Sequence, residues 1–194
     1  MFFITFYYFQ RVTHERMMPT KKTIYDKSQQ RRKIVLLVIC AVVMVMLVAT
    51  TVGNEWILTH GRRIGLWYEC TRYDGFCHVP AIFNDIGILK VIKAFMVLAC
   101  LAAVAGFLVS VHTLCVAGES SGKNVSLCLF VALLLTLLSL ILFLPNANKL
   151  RRSERSPYVY GWCFVMGWLA VGFTLLGAIG ALKVGPHYSR PVLV

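Results

Sequence analysis

Four long apolar runs, separated by short polar connections, occupy most of the chain between residues 34 and 182. The first run, Ile34 to Val52, contains no charged residue over nineteen positions. At about 1.5 Å per residue, a helix of that length crosses a hydrocarbon core of roughly 30 Å. Only 14% of the residues are charged, whereas roughly a quarter are charged in ordinary soluble domains. The sequence therefore predicts an integral membrane protein with four spanning helices.

The runs and their connections divide the chain into nine predicted segments. The predicted spans are residues 34–52, 91–111, 125–144 and 160–182, joined by residues 53–90, 112–124 and 145–159 and flanked by a basic segment, 1–33, and a tail, 183–194. Pro145 directly follows the third run and predicts the end of that helix. Met17 and Met18 are alternative starts, so the sequence leaves open whether residues 1–16 are translated.

Lysine and arginine are concentrated ahead of the first span, where eight of the twenty lie between Arg11 and Lys33. A basic segment beside a first span usually marks the cytoplasmic side of the membrane. We therefore expect both termini in the cytoplasm and residues 53–90 and 145–159 outside. The charge bias elsewhere is weak, but a disulfide in the first loop would require the same orientation, because it forms on the oxidising side.

That loop contains two cysteines, Cys70 and Cys77, on either side of a predicted hairpin turn at Asp74-Gly75. A two-residue turn on this dipeptide would place Cys70 opposite Val79. A four-residue turn over Arg72 to Gly75 instead places the two cysteines directly opposite each other, at a separation that a disulfide tolerates. We predict a bridged hairpin with the longer turn.

Small residues recur at every fourth position in two of the runs, as Ala102, Gly106 and Ser110 in the second and as Gly177 and Ala181 in the fourth. Helices in lipid associate by close approach, which small side chains permit. The pattern predicts contacts within the bundle, and a self-association face is the alternative.

The first loop also carries Trp56 and the tripeptide Gly65-Leu66-Trp67 ahead of Cys70 and Cys77. These residues in this order, together with four predicted spans, resemble the superfamily of claudins, peripheral myelin protein, epithelial membrane proteins and lens fibre membrane intrinsic protein. The resemblance covers about Ile34 to Leu182. It leaves the branch of the superfamily undecided, because features of several branches are mixed.

The resemblance implies an all-α membrane fold, a left-handed four-helix transmembrane bundle that carries a small extracellular antiparallel β-sheet. The first loop and one strand of the second loop would form this sheet, and the disulfide would join two of its strands. Trp56 and the Gly65-Leu66-Trp67 turn would pack against the outer leaflet beneath the sheet, which agrees with the preference of indoles for the membrane interface.

Two smaller signals lie on the predicted cytoplasmic side. Cys115 is close to the membrane and is a candidate for palmitoylation, with an unmodified thiol as the alternative. The chain ends in Val192-Leu193-Val194, and an apolar terminus of this kind fits a PDZ groove, as the tails of claudins do. Apolar tails also occur by chance, so both interpretations remain open.

No pattern in the chain predicts catalysis, a cofactor or a metal site, and we expect a protein that is not an enzyme. The spans contain no Asp, Glu or Arg. Proton-coupled and ion-coupled carriers need such residues inside the membrane, so we do not expect this protein to be one. The positive charge comes without a base-reading module, so nucleic acid is not an expected partner. For Cys70 and Cys77, two free thiols or a zinc site with His60 and His78 are the alternatives to the disulfide.

Two functions fit the resemblance. In the first, the protein lies in the plasma membrane at cell–cell junctions such as tight junctions. There its sheet would meet copies or family members on the same and opposing cells, mediating adhesion or a paracellular barrier to ions. In the second, it is an auxiliary or trafficking subunit of a channel or receptor. Membrane lipid is an expected partner in both.

Overall fold

The computed structural model describes residues 21–59, 61–71, 76–78, 86–115, 122–154 and 158–183. Some of the predictions concern residues outside these ranges. They are the predictions on the segment before residue 21, on His60, on the turn at residues 72–75 and on the tail Val192-Leu193-Val194.

Helices form most of the described chain. In chain order they are α1 (Lys21–Val52), α2 (Ile86–Cys115), α3 (Gly122–Glu154) and α4 (Trp162–Leu182). The parts of these helices that are long and apolar enough to cross a membrane are Gln30–Val52, Gly87–Cys115, Gly122–Pro145 and Trp162–Leu182. Each part overlaps one of the four predicted spans. The parts in α2 and α3 exceed their predicted spans at both ends, and the part in α4 begins two residues later than predicted.

Helix α3 continues past its proline. Pro145 lies inside the helix, which ends at Glu154, so the prediction that Pro145 ends the helix is wrong. The apolar part of α3 nevertheless ends at Pro145. A proline removes a single backbone donor, and at the edge of an apolar run water can bond to the freed carbonyl. Much of the predicted second loop is therefore helical.

Each helix packs against its neighbours in the chain, and α1 also packs against α4, which closes the bundle. The small residues lie at these contacts. A Cβ on Gly106 would be 3.3 Å from the Cβ of Cys128, and one on Gly177 would be 3.0 Å from Cγ2 of Ile39 and 3.1 Å from Cδ1 of Leu129. Both glycines therefore allow close approach of helices within the chain, as the pattern predicts.

A small antiparallel sheet lies at the end of the bundle where α1 ends and α4 begins. Its strands are β1 (Ile57–Thr59), β2 (Arg62–Ile64), β3 (Glu69–Thr71), β4 (Cys77–His78) and β5 (Val159–Tyr160). Their order across the sheet is β4-β3-β2-β1-β5, so the segment before α4 adds one strand to the four that come from the first loop. Within the described residues, this is the sheet that the resemblance implies.

The register divides the sheet into two faces. Ile57 pairs with both Ile64 and Tyr160, and these side chains pack into the core above the helices. Leu58 and Val159 pair with each other and belong to the opposite face, where Val159 is exposed. The sheet thus has an inner face on the bundle and an outer face directed away from it.

Candidate functional site: the sheet and its base

Trp56 fills the space between the sheet and the bundle. Its side chain is completely buried, and the ring contacts that of Phe143 edge to face at 4.8 Å, with Phe164 at 6.1 Å. The indole Nε1 donates a hydrogen bond of 2.9 Å to the carbonyl of Thr50. The expectation that Trp56 packs against the outer leaflet is wrong, because the ring lies wholly within protein.

Trp67 makes a similar hydrogen bond to α1, and its acceptor is the residue after the one that Trp56 contacts. Its Nε1 donates to the carbonyl of Thr51 over 2.7 Å, while its ring stays partly exposed beside the Lys93 ammonium, 5.2 Å from the ring centroid. The last carbonyls of a helix have no partner inside the helix. Two indoles therefore cap the carboxyl end of α1, and Trp67 is the one placed to reach the membrane interface.

Two glycines allow backbone segments to pack closely at the base of the sheet. A Cβ on Gly65 would lie 2.5 Å from Cα of Asn54. A Cβ on Gly161 would collide with the backbone of Glu55 and lie 2.6 Å from its carbonyl carbon. Leu66, next to the first glycine, is completely buried. Gly65-Leu66-Trp67 is thus a tight turn whose residues fix the sheet to the end of α1.

The two loop cysteines are joined. Cys70 and Cys77 face each other across β3 and β4 and form a disulfide, with a Cα–Cα distance of 4.1 Å. The amide of Thr71 donates to the carbonyl of Phe76 over 3.1 Å, which continues the hairpin toward its turn. The predicted disulfide is present in the predicted register, and the alternatives of free thiols and a zinc site at these cysteines are excluded.

Two ion pairs link β2 to its neighbours. On the outer side, Arg63 Nη1 lies 2.7 Å from Glu55 Oε1, with half of the arginine side chain exposed. On the inner side, Arg62 Nη1 lies 3.3 Å from Glu69 Oε1, and the Glu69 side chain is only 7% exposed. A carboxylate buried to this degree needs a cationic partner, so Arg62 stabilises the position of β3.

Large apolar side chains are exposed at the sheet, outside the parts of the helices that are apolar enough to span. They are Tyr68, Phe76 and Val159, exposed by 52%, 69% and 66%. These three residues belong to no motif that the sequence makes recognisable. The alternation of buried and exposed positions along short strands could have indicated Val159, but strands of two or three residues give a weak pattern.

Cys115, the candidate for palmitoylation, lies at the other end of the bundle. It is exposed at the last residue of α2. Nearby, Lys33 Nζ donates to the carbonyl of Thr113 over 3.2 Å, so α1 contributes a cation to the carboxyl end of α2. Among the residues that the structure describes, no cluster of His, Cys, Asp and Glu could hold a metal ion.

Comparison with known proteins gives one family. The model of the PMP-22/EMP/MP20/Claudin family matches residues 32–181. Claudin domain-containing protein 2 of Homo sapiens is 32% identical over 131 residues, which cover 66% of this chain and 72% of that protein. Epithelial membrane protein 3 of Rattus norvegicus is 25% identical over 137 residues, covering 68% of this chain and 82% of that protein.

Proposed function

Because the chain belongs to the PMP-22/EMP/MP20/Claudin family and is a multi-pass membrane protein, we propose that it acts at contacts between cells. In this proposal the sheet is displayed outside and mediates adhesion or a paracellular barrier. Copies of the chain or other family members, on the same cell and on the opposing cell, are the partners. The tail Val192-Leu193-Val194 would bind a PDZ scaffold, which would hold the protein at junctions.

The observation that carries the proposal is a set of exposed apolar side chains at the sheet end of the bundle. Tyr68, Phe76 and Val159 expose apolar area there, and Val159 lies on the outer face of the sheet, which also carries Arg63 and its ion pair with Glu55. Exposed apolar residues rimmed by charge, outside the lipid, are typical of surfaces that bind other proteins. The disulfide, the indole bonds and the close glycine contacts hold this surface in one shape, so binding costs little ordering entropy.

The proposed orientation rests on two features at opposite ends of the bundle. Arg31 and Arg32 are exposed at the start of the apolar part of α1, which favours the cytoplasm for that end. The disulfide lies at the other end and favours the oxidising side. An epitope at residue 20 should therefore stay hidden from antibody on unpermeabilised cells, and the thiols at 70 and 77 should resist labelling until they are reduced. An exposed epitope would contradict this orientation.

The proposal is tested by expressing the protein in cells that lack junctions and measuring its enrichment where two expressing cells meet. The double variant Phe76→Ser, Val159→Ser removes exposed apolar area from the sheet without changing the buried base. We expect it to reach the surface and lose the enrichment. Leu114→Ser, which removes an exposed apolar side chain at the other end of the bundle, is the matched control and should behave like the wild type.

Two outcomes would contradict the proposal. Even distribution of the wild type over the cell surface would do so, as would full enrichment of the double variant. If the wild type spreads evenly and a channel or receptor copurifies with it, the protein is an auxiliary subunit instead.

A further inference from the structure

An apolar groove lies between α1 and α2, just below the sheet. It has a volume of about 290 Å³. Val48 and Val52 of α1 line one side, Val97 and Leu101 of α2 line the other, and Trp67 closes the end nearest the sheet. The four aliphatic side chains are between 39% and 66% exposed and belong to the apolar parts of their helices. The groove therefore opens toward the hydrocarbon of the membrane.

The polar atoms beside the groove are already engaged within the protein. Thr51 Oγ1 donates to the carbonyl of Leu47 over 2.7 Å and lies 3.3 Å from Sγ of Cys100. Trp67 Nε1 is bonded to the carbonyl of Thr51. Groups with satisfied bonds present an effectively apolar wall, so the groove suits a hydrocarbon chain and offers nothing to a polar ligand.

A cation lies at the end of the groove nearest the sheet. Lys93 is one helical turn before Val97 on α2, and its ammonium is 5.2 Å from the centroid of the Trp67 ring. An aromatic face within about 6 Å attracts a cation and limits where the ammonium can move. No carboxylate lies within 4.0 Å of Lys93 in the part of the chain that the structure describes. The ring offers no acceptor oxygen, so the charge complements a phosphate.

We propose that this groove is a binding site for a phospholipid of the leaflet at the sheet end, with the lipid phosphate on Lys93 and one acyl chain between Val48, Val52, Val97 and Leu101. A phospholipid is the occupant that carries an anionic phosphate and a hydrocarbon chain in this order. A sterol has the apolar body but no anionic group for Lys93. The site is independent of what the outer face of the sheet binds.

The test uses quenching of tryptophan fluorescence by phosphatidylcholine with brominated acyl chains, added to the full chain in detergent micelles. Trp162 and Trp168 are exposed on α4, so both are first changed to Phe; Trp67 then remains beside the groove and Trp56 remains buried. We expect quenching that saturates as brominated lipid is added. Lys93→Gln should weaken the apparent affinity about tenfold, because a charge-assisted bond is lost, and Lys93→Arg should restore it.

Matched controls come from the same helix. Lys90→Gln removes an exposed lysine one turn nearer the sheet and should leave the affinity unchanged. Val97→Phe fills the groove and should reduce saturable quenching, whereas Leu98→Phe changes an exposed neighbour outside the groove and should not. Circular dichroism checks that each variant is folded.

Three results would overturn the proposal. Quenching that rises in proportion to the lipid-to-detergent ratio without saturation would show ordinary annular lipid. Equal effects of Lys93→Gln and Lys90→Gln on the affinity would show that Lys93 does not bind the lipid phosphate. If a sterol displaces the brominated lipid, and its affinity is the same for the wild type and for Lys93→Gln, the groove binds sterol instead.

Discussion

Gly161 sets the distance between the sheet and the start of α4, and its replacement by alanine tests how the two are joined. Its backbone is extended, with φ −77° and ψ 170°, so alanine can adopt the same conformation. The obstacle is steric, because the new Cβ would collide with the Glu55 backbone and lie 2.6 Å from its carbonyl carbon. A backbone atom cannot rotate away, so the two segments must separate.

The cost of that separation can be approximated from the contacts it disrupts. The amide of Gly161 donates to the carbonyl of Trp56 over 2.9 Å, and that of Cys163 donates to the carbonyl of Glu55 over 3.3 Å. Each bond contributes about 0.5–1.5 kcal/mol, and overpacking costs about 1–3 kcal/mol. We therefore expect Gly161→Ala to lower the free energy of unfolding by roughly 2–6 kcal/mol.

The measurement is thermal or denaturant unfolding in detergent. The fraction unfolded is monitored by the reaction of a thiol-reactive dye with newly exposed cysteines, in a Cys115→Ser background. Cys40 and Cys163 are buried and become reactive on unfolding, whereas Cys115 is exposed from the start. Gly172→Ala is the matched control on α4, since a Cβ there meets nothing within 4 Å. It should leave stability unchanged or raise it by up to about 1 kcal/mol, the difference between Gly and Ala in a helix. Equal stability of the two variants would refute the steric argument.

Three further predictions concern the sheet and its base. Trp56→Phe should cost about 1–3 kcal/mol in the same unfolding assay, because the buried carbonyl of Thr50 loses its donor; an unchanged value would mean that another donor replaces the indole. Replacing Cys70 and Cys77 together by serine should cost about 2.5 kcal/mol, from the loop entropy that an eight-residue ring removes. Hydrogen exchange should speed up in β3 and β4 but not in the helices, and faster exchange throughout would contradict a local role. Glu55→Gln should cost about 1 kcal/mol or less, since half of the Arg63 side chain in its ion pair is exposed to solvent; a larger loss would show that the pair belongs to a network.

The spans and the hairpin register were predictable from sequence because each depends on local pattern. Apolar runs of spanning length identify helices without knowledge of their neighbours. A disulfide between Cys70 and Cys77 requires the longer of the two possible turns, which determines the residues that face each other, and the structure has that register. The end of α3 was not predictable in the same way, because Pro145 removes only one backbone hydrogen bond and the helix continues through it into a more polar segment.

The base of the sheet was the part that sequence could not give. The resemblance identified Trp56 and Trp67 but assigned both rings to the membrane interface, whereas Trp56 is completely buried. The acceptors of both indoles are backbone carbonyls at the end of α1. Every residue has a backbone carbonyl, so the residue types in the sequence do not show which carbonyl accepts the bond. A buried indole usually finds an acceptor, so the sequence indicated that a partner exists without indicating which one.

The contacts at the base make the outer surface of the sheet depend on the positions of two helices. Trp56 and Trp67 fix the sheet to the last turn of α1, while the close approach at Gly161 fixes it to the start of α4. A change in the packing of α1 against α4 must therefore tilt or distort the sheet. It follows that loss of cell-contact enrichment in Trp67→Ala would not locate the binding surface, because that variant also alters how the sheet is held. Substitution of an exposed residue on the outer face, such as Val159, removes contact area alone, so it distinguishes binding from support.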